Sequence, residues 1–120
     1  MPRKILVAED QTDIRKMMKI LLELGGFDVI EAADGYEAVE KAVDETPDLI
    51  LMDIAMPVMD GLNSSRTILL HEELREIPIV AVTAYGEFYD KRARAAGCID
   101  VLQKPIDLSR LKPIVESYLR

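Results

Sequence analysis

Five polar residues stand out by where they fall. Glu9 and Asp10 follow the apolar run Lys4-Ile5-Leu6-Val7-Ala8, Asp53 follows Leu49-Ile50-Leu51-Met52, Thr83 follows Ile79-Val80-Ala81-Val82, and Lys104 follows Ile99 to Gln103. Three carboxylates brought to close range cannot all stay ionised without a counter-charge. A hard dication supplies one, and oxygen ligands with waters suit Mg²⁺. Mg²⁺ recruits phosphoryl oxygens, while Lys104 and Thr83 offer a positive charge and a hydroxyl donor. A carboxylate facing such a set is a candidate nucleophile toward phosphorus, and Asp53 is the most central. Any one of these residues alone would be an ordinary strand-terminal polar group. The chemistry lies in the five taken together, provided the fold brings them to one rim.

The elements that must do so are read from period. Lys4–Ala8, Leu49–Met52 and Ile79–Val82 are continuous apolar runs of strand length, and Phe27–Glu31 alternates as a shorter strand. Ile14, Met17, Met18, Leu21 and Leu22 recur at helical spacing before the Gly25-Gly26 stop. Helices are also predicted over Tyr36–Val43, Gly61–His71, 86–96 and from an Asp107 cap through Leu119. Five strands alternating with five helices, the central strands apolar on both faces, predict an α/β, doubly wound parallel sheet. In a flavodoxin-like strand order 2-1-3-4-5, strands one and three are neighbours about 4.8 Å apart. Glu9, Asp10 and Asp53 then share the carboxyl rim where open α/β sheets bind ligands, with Thr83 one strand further and Lys104 one beyond that. Pro113 conflicts with a helix capped at Asp107, because it would fall inside it; a kink or a later start is expected.

Composition narrows the function. The 120 residues suit one domain, 1–120. The net charge is −7; residues 1–60 hold 6 basic and 14 acidic groups, residues 61–120 hold 9 and 8. Such a chain is poorly suited to neutralising nucleic-acid phosphates. With one cysteine, Cys98, and one histidine, His71, an internal disulfide, a Cys-type zinc site, a His-rich metal site and a Ser-His-Asp triad are set aside. No apolar run approaches 18 residues, so no membrane insertion is expected, and Ile5–Ala8 is too short for a signal peptide. A cytoplasmic address follows as the default.

On Glu9-Asp10, on Asp53 within Asp53-Ile54-Ala55-Met56-Pro57-Val58-Met59-Asp60-Gly61, on Thr83-Ala84 and on Lys104-Pro105, the chain resembles the receiver domain of two-component response regulators, over residues 3–119. The resemblance implies that Asp53 accepts a phosphoryl group from a sensor histidine kinase or phosphotransfer protein. It implies Mg²⁺ held by Asp10, Asp53 and the Ala55 carbonyl, with Glu9 acting through water. It further implies that Thr83 and Lys104 contact the phosphoryl oxygens, that Lys104-Pro105 is cis, and that a downstream protein target binds the fourth helix, fifth strand and fifth helix. Other readings are an aspartyl-nucleophile phosphohydrolase, disfavoured because Ala55 stands where such enzymes commonly carry a second Asp, and an unphosphorylated interaction module, disfavoured by the complete set.

Two positions depart from the family pattern. Val101 stands three before Lys104, where the family usually has an aromatic residue that moves with the threonine. Ala55 offers no polar side chain to a hydrolytic water, and Tyr85 is expected to shield the phosphoryl group. Lys91, Arg92 and Arg94 are read as a solvated basic face, with partner recognition as the alternative. Cys98 and the methionines are read as packing residues.

Overall fold

Residues 2–119 are described by a computed structural model of the protein. The strands are β1 (Lys4–Ala8), β2 (Asp28–Ala32), β3 (Leu49–Asp53), β4 (Ile79–Thr83) and β5 (Asp100–Gln103). The helices are α1 (Thr12–Leu24), α2 (Gly35–Glu45), α3 (Gly61–Leu69), α4 (Gly86–Ala95) and α5 (Leu111–Tyr118). All strand pairs are parallel, in the order β2-β1-β3-β4-β5. The flavodoxin-like order expected from sequence is the one observed.

The period-2 alternation of each strand divides the core between the two faces. Ile5, Val7, Leu49, Leu51 and Val80 pack with Met18 and Leu22 of α1 and Leu111 and Val115 of α5. Leu6, Ile50, Met52 and Ala81 pack with Ala38 and Ala42 of α2, Ile68 of α3 and Ala93 of α4. The small alanines let α2 and α4 lie close on the sheet. Because β1, β3 and β4 are covered on both faces, they are fixed in register, with Ile5 beside Leu49 and Asp53 beside Val82. That register aligns the strand ends and therefore the site.

Local signals set several boundaries. Asp34 caps α2 by accepting the Glu37 amide at 2.7 Å, and Asp60 caps α3 by accepting the Asn63 amide at 2.8 Å. α3 stops at Leu69, short of His71, because a 3₁₀ turn over Glu72–Leu74 carries Leu74 into the core. The final helix also differs from expectation. Asp107 caps a separate 3₁₀ turn over Leu108–Arg110, and α5 begins only at Leu111. Pro113 is then its third residue, within the first turn, where no intrahelical amide bond is required. The later start removes the conflict without a kink.

Candidate functional site

The carboxyl ends of β1, β3 and β5 bring the charged groups together. One carboxylate oxygen from each of Glu9, Asp10 and Asp53 lies within 4.8 Å of the others. Lys104 Nζ lies 3.1 Å from Asp53 Oδ2 and 3.2 Å from Glu9 Oε1. Glu9 and Asp53 are buried, whereas Asp10 is exposed at the lip. Lys104 thus pairs directly with two acids, a contact the spacing had not specified. The Lys104–Pro105 peptide is cis, as the resemblance implies.

Each group is held by its surroundings. Arg15 of α1 donates to the Glu9 carbonyl at 2.8 Å and pairs with Glu31 of β2 at 3.1 Å, which ties the β1–α1 turn to the sheet. Glu9 Oε2 accepts the Gln11 amide at 3.1 Å. After β3 the chain doubles back, and the Gly61 amide donates to the Ile54 carbonyl at 2.9 Å. A Cβ at Gly61 would stand 2.2 Å from the Asp53 carbonyl oxygen, so only glycine permits this close approach. The Ala55 amide donates to Asp53 Oδ1 at 3.3 Å. In the same loop, Val58 takes a left-handed φ of 69° on an exposed surface. Thr83 is buried at the end of β4, where its Oγ1 accepts the Tyr85 amide at 3.1 Å.

The electrostatics follow from burial and proximity. Burial, and then the charge and contact of Glu9, push the Asp53 carboxyl up to about 7, against the opposing pull of Lys104. Burial also acts to raise Glu9, but the Gln11 amide, Asp53 and Lys104 outweigh it and hold Glu9 below its ordinary value. For Lys104 burial acts downward, and the two carboxylates more than reverse it. Beside this cluster lies a cavity of about 330 Å³ whose walls include Ile14, Met18, Leu51, Ile106 and Leu108; Glu9, Asp53 and Lys104 are the charged groups lining it. One ammonium does not neutralise three carboxylates. A hard dication with oxygen preference fits the donor set.

Tyr85 is 70% exposed and lines a shallow groove with Gly86, Phe88 and Gln103. Two of the three basic residues of α4 are engaged. Arg94 pairs with Asp90 at 3.2 Å and Asp100 at 3.1 Å, and the Arg92 guanidinium lies 4.8 Å from the centre of the Phe88 ring. Tyr118 at the end of α5 donates to the same Asp100 carboxylate, so Asp100 joins α4, β5 and α5. Cys98 is a buried free thiol against Ser65. No helix among the described residues is long and apolar enough to cross a membrane.

A family model described as the response regulator receiver domain matches residues 5–116. The polar-differentiation response regulator DivK of Brucella anthropi is 38% identical over 120 residues, covering 99% of this chain and 98% of the relative. Among solved structures, the chemotaxis response regulator CheY4 of Vibrio cholerae superposes with a TM-score of 0.91 at 29% identity, covering 98% of each chain. The receiver domain of the sensor histidine kinase PA1611 of Pseudomonas aeruginosa, solved with a magnesium ion coordinated in its active-site cleft, gives 0.90 at 32% identity, covering 99% of this chain and 98% of that one.

Proposed function

The chain belongs to the response regulator receiver domain family, whose function is phosphorylation of an aspartate in two-component signalling, and from that premise we propose that Asp53 is the aspartate phosphorylated. The observation that carries the assignment is the position of the buried Asp53 carboxylate, 3.1 Å from Lys104 Nζ and within 4.8 Å of the oxygens of Glu9 and Asp10. Glu9, Asp10, Asp53 and the Ala55 backbone carbonyl would hold Mg²⁺. When bound, the ion neutralises the carboxylates and draws charge from the phosphoryl oxygens. The Asp53 carboxylate oxygen forms the new P–O bond as the P–N bond of a phosphohistidine donor breaks, and the departing imidazole nitrogen takes a proton. Lys104 stabilises the charge on the transferred oxygens. Thr83 supplies a hydroxyl donor to the product.

The chain functions on this reading as a single receiver domain, 1–120, in the cytoplasm. Members of the family interact with histidine kinases or phosphotransfer proteins. The outer side of α1 carries Ile14, Met17, Ile20 and Leu24 exposed from 39% to 80%, an apolar stripe that starts at the cavity and suits a protein phosphodonor. The downstream target is assigned to the α4-β5-α5 face, where Tyr85 and Phe88 are exposed. The test is binding of beryllofluoride, a phosphoryl mimic, followed by ¹⁹F NMR. Wild type should show a bound resonance only with Mg²⁺ present, and Asp53→Asn should show none. A bound resonance in the variant would overturn the assignment.

A further inference from the structure

Gln103, the last residue of β5, carries a contact that the residues of the pocket do not explain. Its carboxamide spans the loop after β4. Oε1 accepts the Gly86 amide at 2.7 Å, and Nε2 donates to the Ala84 carbonyl. A Cβ at Gly86 would stand 2.5 Å from Gln103 Oε1, so the glycine is what lets the amide close. The clamped loop starts at Thr83, whose Oγ1 accepts the Tyr85 amide and whose carbonyl accepts the Lys104 amide at 2.8 Å. The Thr83 hydroxyl can accept the Tyr85 amide and donate at once, but rotating Oγ1 toward a group on Asp53 carries that acceptor away from the Tyr85 amide. Keeping the bond then requires the loop to follow, and Gln103 holds the loop on either side of Tyr85.

We propose that Gln103 is a positioning residue for phosphoryl uptake, its carboxamide restraining the Ala84–Gly86 loop in the position where Thr83 serves its own backbone. The inference rests on the assignment of Asp53 above. Val101, two residues earlier on the same face of β5, is too small to connect the strand to this loop through a ring. Gln103 makes that connection through hydrogen bonds instead. Loss of the clamp therefore favours the loop position that donates to the phosphoryl group. Two hydrogen bonds in a partly exposed loop correspond to a shift of roughly three- to tenfold in the loop equilibrium.

The experiment measures beryllofluoride affinity at saturating Mg²⁺ for wild type and Gln103→Met, which keeps the side-chain length and removes both bonds. Amide spectra of the unliganded proteins are recorded alongside. The variant should bind about three- to tenfold tighter, and its unliganded resonances for residues 83–95 should move toward the liganded positions. A merely structural contact would lower the melting temperature without moving either readout. Gly86→Ala is the second variant; it keeps Gln103 but forces the clamp apart, and should act in the same direction even if Gln103→Met folds poorly. Equal or weaker binding in the folded variants overturns the role of Gln103 while leaving Asp53 intact. Failure of wild type to bind overturns both.

Discussion

Asp53→Asn should stabilise the metal-free protein at neutral and alkaline pH. The native carboxyl titrates near 7 instead of the usual 3.8, because it is buried beside Glu9. Well below pH 3.8 both folded and unfolded states hold the proton, and the buried carboxyl contributes no penalty. As pH rises toward 7 the unfolded state releases its proton first, so the wild type loses stability across that window. At about 1.4 kcal/mol per pH unit the full penalty has a ceiling of about 4 kcal/mol. That value already includes the opposing pull of Lys104, and Glu9 shares part of the penalty, so the net gain at pH 8 is about 2 kcal/mol, or about 8 °C in Tm for a chain of this size. The assay is thermal unfolding with chelator at pH 4.5 and pH 8. The gain should be small at pH 4.5 and full at pH 8. No gain at pH 8, or an equal gain at both, would refute the electrostatic argument.

Three further outcomes are expected. Mg²⁺ should raise the melting temperature of wild type by mass action and raise that of Asp10→Asn less; equal shifts would place the ion elsewhere. Gly61→Ala sets a methyl 2.2 Å from the Asp53 carbonyl oxygen, a backbone atom with little room to give. It should cost about 2–4 kcal/mol in denaturant unfolding, and a cost below 1 kcal/mol would count against the tight turn. Ala55→Asn places a polar group beside the hydrolytic approach to Asp53 and should speed loss of a phosphoryl label by about tenfold or more; unchanged decay would show that position 55 does not govern the lifetime.

The legible parts of the molecule were those written in repeated local patterns. Strands apolar on both faces required covering helices, and polar residues at their carboxyl ends fell on one rim because β1, β3 and β4 keep register. The cap at Asp107 was legible, but not that it serves a 3₁₀ turn, because the first turn of either helix type looks alike until Pro113 is placed. The Arg15–Glu31 tie behind Glu9 joins α1 to β2, and the Gln103 clamp joins β5 to the loop after β4. Both are long-range contacts of ordinary polar residues, with no spacing that marks them. The groove beside Tyr85 likewise depends on a contact without a sequence mark, the bond from the Tyr85 amide to Thr83 Oγ1.

Phosphoryl transfer to Asp53 is tested most directly by incubating the protein with a small phosphodonor, with and without Mg²⁺, and locating the label by mass spectrometry of peptides. One phosphoryl group should appear, only with Mg²⁺, on the peptide carrying Asp53, and Asp53→Asn should remain unlabelled. A label on another residue, or one that forms equally in the variant or with the metal chelated, would contradict the account.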